Sequence, residues 1–235
     1  MLKTHEEDLQ NLRLNPRLQK IAELIPQAES LADIGTDHAY IPIYARLSGK
    51  VKRAIASDIK LGPVARAAEN AKKFGLDSDI IVRIGPGLET IKPGEAEIIV
   101  IAGMGGILIA DILENSKEVV AAAKLLILQP MTAAGELRDY LAENSFTANQ
   151  EYLAAEEDKL YNIITAVPGG KTAYTERERI LGKGVEETSP QYYQEYRARL
   201  ASKLEKRIEG LKASKLAGNA EKAEEIEAQL KLIQD

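Results

Sequence analysis

The stretch Leu31-Ala32-Asp33-Ile34-Gly35-Thr36-Asp37-His38-Ala39-Tyr40 constrains the fold more than any other part of the chain. A short apolar run ends in an acid, a glycine follows, and a helix is predicted to begin near Asp37. That is the first strand and first turn of a Rossmann-like nucleotide fold. Gly35 lets the backbone approach a ligand, Asp33 can hold a cationic or hydroxyl group, and the helix presents free N–H groups. The dinucleotide pattern of three spaced glycines is missing, because Asp37 and Tyr40 stand at its second and third positions. An acid there repels a pyrophosphate. S-adenosylmethionine carries no phosphate and does carry a sulfonium and an ammonium, so it suits this turn better than a dinucleotide. Asp33, Gly35, Asp37 and His38 are its candidate contacts.

The following segments repeat the pattern. Ala54-Ile55-Ala56-Ser57 runs into Asp58 and Ile59, about twenty residues after the glycine turn, where such folds place an acid on the ribose hydroxyls. Ile80–Ile84 ends in Gly85-Pro86-Gly87-Leu88, a rigid turn suited to lie along an adenine, with Gly87 and Leu88 as contacts. Glu97–Ile101 breaks into Ala102-Gly103-Met104-Gly105-Gly106, an open backbone that something approaches closely. Ala102 and Gly103 are assigned to the cofactor; Gly103, Met104, Gly105 and Tyr40 are assigned to the reacting centre. A fifth strand is predicted at Leu125–Leu128, a helix through Leu137 and Leu141, and strand-like segments at 151–154 and 161–166. Together these predict an α/β fold: a seven-stranded sheet with helices on both faces.

Residues 9–25 read as an amphipathic opening helix, with Leu14, Leu18, Ile21 and Ile25 on one side and Arg13, Arg17 and Lys20 left for solvent or RNA. Pro168-Gly169-Gly170 marks a boundary between a catalytic domain (1–167) and a helical coiled-coil extension (168–235). Thr175-Glu176-Arg177-Glu178 is a capping box, and Ser189-Pro190 opens a long helix with its cap and first-turn proline in favoured places. Apolar residues from Tyr193 to Leu211, and again from Ala223 to Ile233, predict two antiparallel helices joined at Gly218-Asn219. Such an arm would clamp RNA, mediate self-association, or both.

The chain has no cysteine, which excludes disulfides, thiolate nucleophiles and Cys-ligated zinc, and its two histidines are too few for a His-rich metal site. No apolar run reaches the roughly 18 residues of a membrane span, and the polar N-terminus does not read as a signal peptide, so a cytoplasmic protein is expected. The net charge of −5 does not advertise RNA binding. The tail is different: residues 168–235 hold 13 Lys and Arg against 12 Asp and Glu. Arg197, Arg199, Lys203, Lys206, Arg207, Lys212 and Lys215 form a run that reads equally as a phosphate-contacting surface or a solvated helix face.

The chain resembles the bacterial TrmK-type tRNA methyltransferases, which methylate N1 of adenine 22 in tRNA. The resemblance rests on Ala32–Pro42, Ile101-Ala102-Gly103-Met104-Gly105-Gly106, Leu128-Gln129-Pro130 and Glu156-Glu157-Asp158-Lys159-Leu160-Tyr161. It implies S-adenosylmethionine as cofactor, tRNA as partner, no metal, and a monomer or weak dimer through the tail. Gln129, Pro130, Arg13, Arg17, Arg199, Lys203, Lys206 and Arg207 become the candidate RNA contacts. The chain departs from the family pattern at Pro86, in place of Asn or Asp beside the cofactor adenine, and at Met131, in place of an Asn near the substrate base. A small-metabolite methyltransferase, or a non-catalytic RNA-binding protein with the same fold, stays open as an alternative.

Overall fold

The computed structural model of the chain describes residues 5–214 and 218–234, and Lys215 of the basic run lies outside the described residues. Its strands are β1 (Ala28–Ile34), β2 (Val51–Asp58), β3 (Ile80–Ile84), β4 (Ile98–Gly105), β5 (Leu125–Thr132), β6 (Phe146–Glu156) and β7 (Lys159–Pro168). They form one sheet in the order β3-β2-β1-β4-β5-β7-β6. The first five are parallel, and β7 runs antiparallel to both neighbours.

Strand alternation divides the core between two faces. Ile98 and Val100 pack with Ile21, Leu31 and Ile43 beneath α2 (Pro16–Leu24), α3 (Tyr40–Leu47) and α4 (Leu61–Lys73). Ile99 and Ile101 point the other way, to Ile109, Leu128 and Leu137 under α5 (Gly106–Glu114) and α7 (Ala134–Glu143). Short α1 (His5–Asn11) and α6 (Lys117–Ala121) complete this part. Beyond β7 follow α8 (Glu176–Leu181), α9 (Val185–Thr188), α10 (Pro190–Ala213) and α11 (Asn219–Gln234), which pack on Leu153 through Leu181, Tyr193, Tyr196 and Ile233.

Three boundaries differ from the sequence reading. The opening helix of 9–25 is two helices, because Asn15 accepts from Leu18 N at 2.8 Å as a cap and Pro16 starts a new first turn. The fourth strand does not break at Ala102 but continues to Gly105, with register shifts between Ala102, Met104 and Gly105. Ser189 does precede α10, yet its hydroxyl accepts from Leu153 N at 2.8 Å and leaves the helix uncapped by a side chain. The Thr175–Glu178 capping box is formed in both directions.

A buried ion pair ties the tail to the sheet. Arg138 and Glu151 are 1% and 0% exposed, with three guanidinium contacts to the carboxylate at 2.8–3.0 Å. Arg138 also donates to the Arg179 carbonyl at 2.8 Å, and Glu151 accepts from Lys183 N at 3.2 Å. Burial alone would lower the Arg138 pKa; the Glu151 charge overrides it, and the guanidinium is held in its charged form.

Candidate active site

The carboxyl ends of β1, β2 and β4 gather the predicted residues on one edge of the sheet. Gly35 N and Thr36 N donate to the Ser57 carbonyl at 2.8 and 3.0 Å, which pins the first turn to β2. Gly35 has φ +78°, and a Cβ there would fall 2.1 Å from Met104 Cε. Met104, assigned from the sequence to the reacting centre, therefore also braces the first turn. The helix after the turn starts at Tyr40, three residues later than predicted, with Ala39 left-handed and its N–H held by Thr36 Oγ1 at 3.0 Å.

Asp33 is buried, and burial pushes its carboxyl up from 3.8 to about 6; the Thr36 hydrogen bond opposes this and the Asp58 charge adds to it. Asp58 is half-buried at the end of β2, where Oδ1 accepts from Lys60 N at 2.7 Å and Oδ2 has no partner among the described residues. Ile59 and Ile84 flank it, 63% and 51% exposed, which supplies apolar surface beside a free carboxylate oxygen. Asp37 is exposed and paired with Arg66 at 3.0 Å, and His38 stacks on Tyr40 with ring centroids 5.0 Å apart. The His38 carbonyl accepts from Asn70 at 3.0 Å. Gly87 needs to be a glycine, with φ +48° and Ile112 3.2 Å from a Cβ position. The Leu88 side chain is buried in the core with Ile34 and Ile55, which leaves its backbone for any contact with the cofactor.

An unforeseen network holds the fourth strand end. Gln129 is fully buried, and its Oε1 accepts from Gly103 N at 3.0 Å and from Arg17 Nη1 at 2.7 Å. Arg17 also donates to Glu156 at 3.2 Å and lies over the Tyr161 ring at 5.7 Å, while Asn15 donates to Glu156 at 3.1 Å. Arg17 and Gln129 are thus committed to protein groups, where the sequence reading had them facing RNA, and Pro130 is buried beside them. Gly103 itself is exposed, with φ +80°. Glu156 was legible only as part of a motif block. Gly106 was underrated: a Cβ there would lie 2.1 Å from the Ala133 carbonyl oxygen, whereas at Gly105 the nearest atom is Thr132 Oγ1 at 3.3 Å.

The basic run of the tail is split. Arg199 is held by the Asp158 carbonyl and Glu195, Arg197 by the Ile233 carbonyl, and Lys212 by Glu227 at 2.5 Å. Lys203, Lys206 and Arg207 are exposed and have no ion pair among the described residues, as is the case for Arg13 at the other end of the chain. Among the described residues no three His, Cys, Asp or Glu side chains stand together as a metal site, and no helix is long and apolar enough to cross a membrane.

Residues 14–164 match the methyltransferase-domain family. The tRNA (adenine(22)-N1)-methyltransferase of Bacillus subtilis is 45% identical over 165 residues, 70% of this chain and 69% of that one. The crystal structure of the B. subtilis m1A22 tRNA methyltransferase TrmK superposes with a TM-score of 0.86 at 35% identity, over 95% of this chain and 98% of that chain. The chain belongs to the TrmK family. M. capricolum TrmK, solved with S-adenosylhomocysteine, aligns with a TM-score of 0.80 at 29% identity, over 94% of this chain and 96% of that one. Likeness to these TrmK structures extends through the helical tail, since residues 168–235 could not otherwise fall within the aligned 95%.

Proposed function

We propose that this protein uses S-adenosylmethionine to methylate N1 of adenine 22 in tRNA, in the cytoplasm, with residues 1–167 catalytic and the tail serving tRNA. The observation that carries the reading is the paired arrangement at the sheet edge. Asp33 and Asp58 stand with exposed Ile59 where a cationic, phosphate-free adenosine cofactor fits, beside an open Gly103 backbone. Mass spectrometry of nucleosides from tRNA incubated with the protein and S-adenosylmethionine tests it. 1-Methyladenosine is the expected product, formed on tRNA with adenine at position 22 and absent when that adenine is replaced; 1-methyladenosine that persists after the replacement overturns the position, methyl on another nucleoside overturns the adenine-N1 reading, and methyl on none overturns the activity.

Bound S-adenosylmethionine supplies a sulfonium methyl, and neutral adenine N1 supplies the lone pair that takes it, so the S–CH3 bond breaks as N–CH3 forms. Positive charge moves to the adenine without a proton transfer, and orientation and water exclusion supply the catalysis. Gln129 fixes the Gly103 peptide through its Oε1. Glu156 balances the Arg17 guanidinium, so that the adenine cation forms beside a neutral pair. Asp58 Oδ2 would hold the ribose hydroxyls when the cofactor is bound, and exposed Ile59 would supply apolar surface beside them.

Asp58→Ala is expected to weaken S-adenosylmethionine binding by roughly 1.5–3 kcal/mol, the scale of hydrogen bonds to a charged group. Calorimetry that finds parental affinity in the folded variant would remove Asp58 from the site.

Asp33 gives the binding a pH dependence. Its folded pKa is raised, so its contribution to stability is present below about pH 4 and is lost as pH rises through about 6. A cation bound beside it favours the ionised form and releases the proton. Affinity for S-adenosylmethionine should therefore rise from pH 5 to 6 and level off above. A flat affinity over this range, measured by calorimetry, would separate Asp33 from the cofactor's charge.

A further inference from the structure

A cavity of about 750 Å³ lies between the β5–α7 loop, β7 and the tail helices, apart from the cofactor edge. Its size falls within the roughly 300–1,000 Å³ of ligand sites. It begins at Met131 and Thr132, and Thr132 pairs with Gly105 of the catalytic strand end. From there it runs along α10, where half-buried Leu200 and Leu204 give an apolar wall. Lys203 and Arg207, one helical turn apart on the same helix, also line it and have no ion pair among the described residues.

The wall opposite carries an unsatisfied donor. Asn162 is 8% exposed, and its Oδ1 accepts from the Tyr196 hydroxyl at 3.0 Å. Asn162 lines the cavity, and its buried Nδ2 has no acceptor among the described residues. A buried N–H left unpaired is destabilising, so an acceptor arriving in the cavity would relieve it. Every nucleobase has a carbonyl or ring nitrogen able to do so.

We infer that this cavity is a second RNA subsite that seats one splayed nucleotide of the substrate tRNA, distinct from the methylated adenine. Its base lies against Leu200 and Leu204 with an acceptor on Asn162 Nδ2, and its phosphate lies between Lys203 and Arg207. Unstacked bases are the parts of RNA that proteins recognise on apolar walls and polar edges. The acids of the same cavity, Glu136 and Asp139 on α7, Glu176 on α8 and Glu225 on α11, confine a phosphate to the α10 side, with Asp139 itself paired to Arg179. The inference rests on the tRNA methyltransferase reading and adds to it a site that holds the RNA next to the catalytic strand end.

The test is tRNA binding by fluorescence anisotropy across a salt series, read separately from methylation and from S-adenosylmethionine affinity. Lys203→Gln with Arg207→Gln should weaken tRNA binding about tenfold and lower the salt slope by about 1–2 units. Lys222→Gln with Lys231→Gln, a charge-matched pair on α11 outside the cavity, should change it less than twofold. Ala228→Trp, at an exposed cavity position on α11, should block the site sterically with the fold intact. Asn162→Ala should weaken tRNA binding without changing the salt slope. Equal behaviour of the two charge pairs, or parental tRNA affinity in Ala228→Trp, overturns the subsite. AMP or UMP binding alone, lost in Asn162→Ala while tRNA affinity is kept, marks a free-nucleotide site and overturns it as well. Absence of methylated tRNA from the parent protein sinks the functional reading, whereas the binding series still decides the subsite.

Discussion

Glu151→Leu is expected to destabilise the protein by about 3–5 kcal/mol, because it leaves the Arg138 guanidinium charged, buried and without its carboxylate. At this chain length the loss corresponds to a fall of roughly 10 °C in melting temperature. The effect reaches beyond one residue. Arg138 donates to the Arg179 carbonyl and Glu151 accepts from Lys183 N, so both ends of the segment that leads into the tail helices hang on this pair. Thr188 adds a further bond, to the Glu151 carbonyl. Replacing both partners, Arg138→Met with Glu151→Leu, should recover much of the loss but not all of it, since the Arg179 carbonyl and the Lys183 N–H stay unpaired. Thermal denaturation of the two single variants and the double one decides it. Single variants within about 1 kcal/mol of the parent would show that the pair is not dry or not formed.

The second large effect is expected at Gly106→Ala. Its Cβ would meet the Ala133 carbonyl oxygen at 2.1 Å, the Ala133 carbonyl carbon at 2.8 Å and the Thr132 carbonyl oxygen at 3.0 Å, all backbone. Nothing there can rotate aside, so the ends of β4 and β5 must part, and Gly103 moves with them. A displacement of about 1 Å at a reacting centre costs on the order of 100-fold in turnover. Affinity for S-adenosylmethionine should fall less than turnover, because Gly103 moves while Asp33 and Asp58 stand on β1 and β2 away from the clash. Gly105→Ala is the comparison: its φ is −67° and its nearest contact is one side-chain oxygen at 3.3 Å, so it should lose far less turnover. Equal losses in the two variants would mean that the clash is not the cause.

Most of the sheet was legible because its signals are local. Short β-branched runs closed by an acid or glycine, such as Ile80–Ile84 before Gly85, form strands by their own propensity and end where the pattern ends. Asp33 and Asp58 could be placed at strand ends for the same reason. The limits were also local. Strand alternation shows that Ile99 and Val100 face opposite ways but not which helix covers each, and the extension of β4 to Gly105 depends on pairing with β5. Leu88 looked like a turn residue facing the cofactor because the turn was visible, while the core that absorbs it was not. The capping box at Thr175 was readable within four residues; the diversion of Ser189 to Leu153, 36 residues away, was not.

By itself the sequence determined the α/β order, the acid-lined first turn, the absence of a dinucleotide glycine pattern and the helical tail, all set by residues within a few positions of one another. Tertiary structure alone decided which of several glycines must be bare, which arginines lack an ion pair among the described residues, and that the buried amide of Asn162, in the wall of a cavity, has no acceptor there. Arg17 finds Gln129 and Glu156 at separations of 112 and 139 residues, and Arg138 reaches from α7 to Glu151 on β6. Such partners are chosen by the closeness that chain folding imposes and by the cost of leaving a buried charge or N–H unpaired, and neither is encoded in the spacing of neighbours.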